Sequence, residues 1–307
     1  MSWLILGFLA TMLFGIVSLA DKFALSRFFK NNWSYPFFTS FFFGLYCSII
    51  LIFRILTGQF YSPSIGVTLL ALLPGMTLFT SGLFFTRAMM KMDASIVTGV
   101  SQINVLFALM WGWLFLGEIY QPINYAGVVL IVFSAILLSL ERNPDHQKKF
   151  KVSAVLLLII LGTLFRSLSD LFIKLALSDL AFWDAFSLSR AGLLLAAFAI
   201  FCIPSIHAQI TNPVREHGKK VIFIAGFIEM FAFLNSMLMV LAFSLGPLGL
   251  VSTTQATLPL FVLVFTLIIN FFKPGLIPVR KHAVNNLIKA LLSLAIIGGV
   301  YFVYQYL

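Results

Sequence analysis

Four charged side chains lie inside long apolar stretches of this sequence: Arg166, Asp170, Arg190 and Glu229. A charge at the centre of a bilayer-spanning helix disfavours insertion by about 2.5–3.5 kcal/mol, so each one marks a candidate functional position. Arg166 and Asp170 stand four residues apart and share a helical face with Thr163, Ser167 and Lys174. That stripe can line a polar cavity, or Arg166 and Asp170 can simply neutralise one another. Arg190 has Asp184 and Glu229 as candidate partners, and its planar fork also suits a carboxylate brought by a solute. Glu229 is the candidate for proton coupling, because a carboxyl group at membrane depth can change protonation as its surroundings change. Its alternative is a static interhelical ion pair. Gln102, Asn104, Thr254 and Gln255 are neutral polar groups near the middle of two other apolar runs. They read as solute contacts or as hydrogen bonds between helices. Trp111 and Trp113 read as interface anchors, and Glu118, at the end of the same run, as a structural or gating group.

These residues need elements that hold charge in an apolar setting. Of 307 residues 61% are apolar and 10% are charged, against about 25% charged in a typical soluble domain. A bilayer core about 30 Å thick requires about 20 apolar residues per helix. Ten runs qualify: 3–25, 35–56, 66–89, 94–116, 122–140, 152–177, 183–206, 219–243, 248–272 and 284–306. Backbone polar groups in lipid must be satisfied within the segment, so these are helices. The short alternating segments of a barrel are missing from the pattern. The longest polar stretches, 141–151, 207–218 and 273–283, are too short for an added ATPase or sensor domain. Ser18-Leu19-Ala20 resembles a leader cleavage site, but no basic residue precedes the first run, and we expect it to be retained.

The net charge of +10 would suggest a nucleic-acid partner in a soluble protein. Here the basic residues sit in short loops, where they set orientation and meet lipid headgroups. Loops after odd-numbered runs carry sixteen Lys and Arg, and loops after even-numbered runs carry only Arg54. The odd loops are therefore expected in the cytoplasm and both termini outside. Cys47 and Cys202 lie in apolar runs, and the four histidines have no ligand-like spacing. Nucleotide-binding, zinc-protease and serine-hydrolase motifs are missing, so neither an enzyme nor a metal or cofactor is expected.

The chain also repeats itself. A shift of 152 residues lays Lys22-Phe23-Ala24-Leu25-Ser26 on Lys174-Leu175-Ala176-Leu177-Ser178, with seven identities over residues 9–26. Arg87-Ala88 and Leu241-Ala242 each precede a short turn and then a helix carrying Thr98-Ser101-Gln102 or Ser252-Thr254-Gln255. The plan is all-α: ten transmembrane helices as two five-helix units, 1–140 and 152–307, joined by a polar loop at 141–151. An odd-numbered unit repeated in one chain must insert with opposite orientation, which places a solute site between the halves near the midplane.

Residues 81–140 carry a resemblance to a known family. Arg87-Ala88 is followed by a turn, then by a helix ending Leu114-Phe115-Leu116-Gly117-Glu118, then by Ala126-Gly127-Val128-Val129-Leu130-Ile131. This resembles the drug/metabolite transporter superfamily, specifically its EamA-type ten-helix members. Family members often carry a proline in the fourth and ninth helices. Pro259 fits the ninth, the region near Val105 has none, and the second half offers Asn270-Phe271-Phe272-Lys273 in place of Leu-Gly-Glu. The resemblance implies a secondary transporter in the bacterial inner membrane that exports small metabolites such as amino acids by alternating access, as a monomer or homodimer, with protons as the candidate coupling ion. It also implies both termini inside, against the loop charges. The alternatives are a nucleotide-sugar or lipid-linked substrate carrier, a membrane-embedded lipid enzyme, and a non-transporting receptor or assembly subunit.

Overall fold

The computed structural model describes residues 2–60, 62–92, 94–139, 149–272 and 286–304, and every regular element among them is helical. Residues 141–148 of the connecting loop expected at 141–151, the stretch 273–283, His146 and His282 lie outside the described residues, and 149–151 belong to a helix instead of that loop. The helices are α1 (Ser2–Arg27), α2 (Ser34–Leu56), α3 (Ile65–Lys91), α4 (Ala94–Val100), α5 (Asn104–Leu116), α6 (Pro122–Ser139), α7 (Lys149–Asp179), α8 (Phe182–Phe201), α9 (Pro204–His217), α10 (Lys220–Leu245), α11 (Leu248–Gln255), α12 (Leu258–Phe272) and α13 (Asn286–Tyr304). Eight spans among the described residues are long and apolar enough to cross a membrane, and two shorter apolar helices occur at Pro122–Leu137 and Leu294–Val303.

Three expectations need correcting. The run 94–116 is not one helix: α4 and α5 are separated by a 3-10 turn at Ser101–Ile103. The run 248–272 is also interrupted. Ala256 and Thr257 donate to Thr253 and Thr254 in the tighter i to i+3 pattern before α12 begins. Pro259 lacks a backbone donor, which explains the second break, whereas the first occurs without a proline. Finally, α8 stops at Phe201, and residues 204–217 form a separate helix where a polar stretch was expected. Pro204 opens α9, as its fixed φ suits a first helical position. Ile210 and Pro213 form the buried face of α9, which packs on α2, α8 and α10.

Packing joins the first five runs to the last five. Helix α3 packs on α7 and α8, α1 on α10, α2 on α8 and α10, α5 on α11, and α6 on α13. Small residues let backbones touch where side chains cannot intervene. A Cβ on Gly75 of α3 would stand 1.8 Å from the Ser189 carbonyl oxygen, and one on Gly192 of α8 would stand 2.0 Å from that of Leu72. Helices α6 and α13 meet in the same way through Gly127 and Gly299. Pro74 sits beside the α3–α8 contact, and its carbonyl accepts a 2.7 Å hydrogen bond from Ser169 of α7.

Two half-buried lysines close helix ends. The Nζ of Lys22 donates to the carbonyls of Met89 (2.8 Å) and Met92 (3.2 Å) at the end of α3. The Nζ of Lys174 donates to those of Phe243 (2.6 Å) and Gly246 (2.8 Å) at the end of α10. Each cation satisfies carbonyls that the helix leaves open and meets the negative end of its dipole.

Candidate functional site

The breaks in the fourth and ninth runs lie beside a cavity of about 210 Å³. Its polar wall includes Asp21 of α1, Tyr35 of α2, Gln102 and Asn104 at the 3-10 turn, Arg166 of α7, Glu229 of α10 and Gln255 of α11. Phe14, Phe43, Phe79 and Phe85 supply much of the apolar wall. The lining residues of α1 and α3 run towards the helix ends that carry Arg27 and Lys91, the basic face of the bundle. A second chamber of about 100 Å³ lies beyond Phe14, Phe43, Leu78 and Arg166, which border both spaces. Its polar groups are Asp170, Arg190, Ser169, Asn235 and Ser236, together with Arg166.

The four membrane-depth charges therefore gather around one axis but divide between two spaces. Arg166 stands between them: its Nε is 3.6 Å from the Asp170 carboxylate and its guanidinium lies 5.8 Å from the centre of the Phe14 ring. Asn104 donates to the other Asp170 oxygen at 3.4 Å. Glu229 is buried in the larger cavity, and no described residue forms a hydrogen bond or salt bridge with it. Gln102 bonds back to the Thr98 carbonyl at 2.6 Å. Thr254 bonds to Val251 and abuts Gly7 of α1, away from both spaces.

The partners proposed for Arg190 from sequence do not hold. Asp184 is taken by Arg54, whose Nε and Nη2 reach its two oxygens at 2.8 and 3.3 Å. Glu229 forms no ion pair with Arg190 among the described residues. Arg190 lies instead between the rings of Phe43 and Phe186, 4.6 and 5.2 Å from their centres, and donates to Ser236. Sequence spacing could not show this, because Arg54 arrives from a helix 130 residues away. Trp111 also departs from expectation: its indole donates to Ser167 of α7 at 3.0 Å, inside the bundle. Trp113 is exposed.

Sequence reasoning missed Asp21 and Tyr35. The Tyr35 hydroxyl donates to Asp21, and both face the cavity that holds Glu229. The available signal was an acid inside the first apolar run, 3–25.

At the opposite, less basic end, Leu116-Gly117-Glu118 makes a turn with a specific purpose. Gly117 adopts φ 65°, the left-handed value that ends α5 and turns the chain back. The Glu118 carboxylate then accepts from the backbone N–H groups of Leu248 (2.6 Å) and Gly249 (3.1 Å), the first residues of α11. A carboxylate at a helix N-terminus satisfies open donors and meets the positive end of the dipole. Tyr120 also donates to Glu118. Burial, reinforced by that carboxylate, pushes the Tyr120 hydroxyl well above the ordinary tyrosine range. Gly112 leaves room for the carboxylate, since a Cβ there would stand 2.5 Å from Oε2.

Residues 1–140 match the model of the EamA-like transporter family. The resemblance drawn from Leu116-Gly117-Glu118 holds over that stretch. Two curated relatives, the pseudopaline exporters CntI of Pseudomonas aeruginosa strains UCBPP-PA14 and PAO1, are each 40% identical over 60 residues. That match covers 20% of this chain, and the chain spans about a fifth of the length of these relatives (21%). The fold as a whole is similar to a crystal structure with a TM-score of 0.61 at 14% identity, over 99% of this chain and 96% of the other. At that identity the likeness concerns the fold alone. The chain is an integral, multi-pass membrane protein, and its residues 1–140 are similar to the EamA-like transporter family. Its EamA-like half supplies Asp21, Tyr35, Gln102 and Asn104, and the remainder supplies Arg166, Asp170, Arg190, Glu229 and Gln255.

Proposed function

We propose that this chain is a secondary transporter that exports small metabolites such as amino acids by alternating access across the bacterial inner membrane. The observation that carries this reading is the meeting of two helices with local 3-10 breaks beside a cavity that buries Glu229, which has no hydrogen bond or salt bridge among the described residues. Irregular backbone at membrane depth is tolerated where it is buried in protein or lines a cavity, and transporters use such breaks to bind solutes. Arg166 offers the solute a fork for an anionic group, and Glu229 offers a titratable carboxyl for proton coupling. Asp170, Arg190, Gln102, Asn104 and Gln255 complete the path, with Thr254 supporting it from behind.

The architecture in this reading is an inverted repeat, 1–140 and 152–307. Its support is the pairing of Lys22 with the end of α3 and of Lys174 with the end of α10, at positions that a shift of 152 residues relates. Exchanging the two halves also maps the α1–α10 contact onto α3–α7 and the α5–α11 contact onto α4–α12, and leaves α2–α8 and α6–α13 unchanged. The larger cavity then faces the basic loops, and the Glu118 contact to α11 joins the halves at the other side. Export as the direction rests on the curated relatives, which are exporters of pseudopaline.

The deciding experiment is transport by the purified chain in proteoliposomes, against a panel of amino acids and related carboxylates, with imposed pH gradients. The reading expects at least one solute to move with the gradient and Glu229→Gln to abolish that dependence while binding persists. A chain that moves no member of the panel under either gradient overturns it.

A further inference from the structure

Arg190 is 4% exposed, and the rings of Phe43 and Phe186 cover it at 4.6 and 5.2 Å. Aromatic rings favour a cation through their faces but supply no acceptor in its plane. A guanidinium has five in-plane donors. Ser236 accepts from Nη2, while Nε is buried without any hydrogen-bond partner among the described residues. A buried charge left in this way is costly unless something else fills the position.

The surroundings define what would fill it. Arg190 borders the 100 Å³ chamber with Arg166, Asp170, Asn235 and Ser236. Two guanidiniums thus face one carboxylate, and that carboxylate is already engaged by Arg166 at 3.6 Å and Asn104 at 3.4 Å. The nearest acid on its own helix, Asp184, is held by Arg54. Glu229 borders the other cavity. The chamber therefore presents two guanidiniums, one carboxylate, an open donor on Arg190 and space for a small group.

We propose that this chamber is an anion station, in which Arg190 binds a single small monovalent anion or the carboxylate head of a solute. The space admits a halide or a small carboxylate group. Ser236 orients the fork, and the Phe43–Phe186 sandwich holds it in place. Because Arg166 borders both spaces, an anionic head leaving the larger cavity can pass from one guanidinium to the next without an uncharged gap. The role in transport rests on the function proposed above, but occupancy of the station does not.

Occupancy is read by thermal unfolding of the full chain in detergent, with sodium formate, acetate, chloride and gluconate titrated at matched ionic strength. Formate raises the midpoint saturably and gluconate does not. Arg190→Gln removes the saturable rise, and Ser236→Ala increases the half-saturating formate concentration about tenfold, the equivalent of about 1.4 kcal/mol. Equal saturation by chloride identifies a free halide as the occupant, and a preference for formate and acetate identifies a carboxylate head. The proposal is overturned if formate shows no saturation, if gluconate matches it, or if Arg190→Gln retains the response. Should Arg190→Gln not fold, an unchanged half-saturation in Ser236→Ala is equally decisive against it. A chain that binds formate yet transports nothing keeps the station and loses the transporter reading.

Discussion

Lys22 and Lys174 are 152 residues apart and make the same kind of contact, each closing the end of a helix two runs later in its own half with two bonds of 2.6–3.2 Å. Both ammonium groups reach backbone carbonyls. A cation in this position replaces the solvent that the helix end would otherwise need. Lys22→Met and Lys174→Met should each lower stability by about 1–3 kcal/mol, the cost of leaving buried acceptors open. Thermal unfolding in detergent checks this, and a midpoint unchanged in both variants removes the structural role of the pair.

Glu229 and Asp21 face one cavity, with Tyr35 bonded to Asp21. Glu229→Gln keeps the shape of the side chain and removes its titration. Solute binding should persist while transport driven by a pH gradient is lost. Asp21→Asn should weaken the same pH dependence, because it changes the charge nearest that end of the cavity. If both variants transport as the parent does and Glu229→Ala only lowers thermal stability, the carboxyls are structural, and the solute site belongs to Gln102, Asn104 and Gln255.

Glu118 closes the less basic side of the bundle by accepting from Leu248 and Gly249. Glu118→Ala removes a helix cap worth about 0.5–2 kcal/mol and should favour opening at that side. A cysteine placed at Ser236 should then react faster with a small thiol reagent added from that side, in a background where Cys47 and Cys202 are replaced. An unchanged labelling rate means that the cap stabilises α11 without gating.

The close crossing of α3 and α8 leaves no space for a methyl group at Gly75 or Gly192. Gly75→Ala forces the backbones apart and should cost about 1–3 kcal/mol or more. Expression yield and thermal midpoint report the effect, with Gly82→Ala, where a Cβ meets nothing within 4 Å, as the control.

Loop charge predicts that the odd-numbered connections lie in the cytoplasm. A reporter active only in the cytoplasm should work when inserted after Lys148 and fail at the C-terminus. The reverse pattern overrides the charge bias and gives the orientation of EamA-type relatives.

Composition alone determined that this chain lives in lipid, because 61% apolar residues leave no soluble alternative. The lengths of the apolar runs located most spans to within a few residues, since helix rise and bilayer thickness are fixed quantities. The Lys22–Lys174 identity and Leu116-Gly117-Glu118 were legible because local sequence carries them. Other features depend on partners distant in sequence. Nothing near Asp184 indicated that Arg54 would reach it, and so nothing showed that Arg190 would form no salt bridge with Asp184. Nor could spacing divide Glu229 from Arg190 into separate chambers, because Phe14, Phe43, Leu78 and Arg166 come together from four helices to border both. Periodicity says which residues share a helix face, but only packing decides what that face meets. For buried charges in a membrane, the meeting partner determines whether the group is neutralised or left open to a ligand.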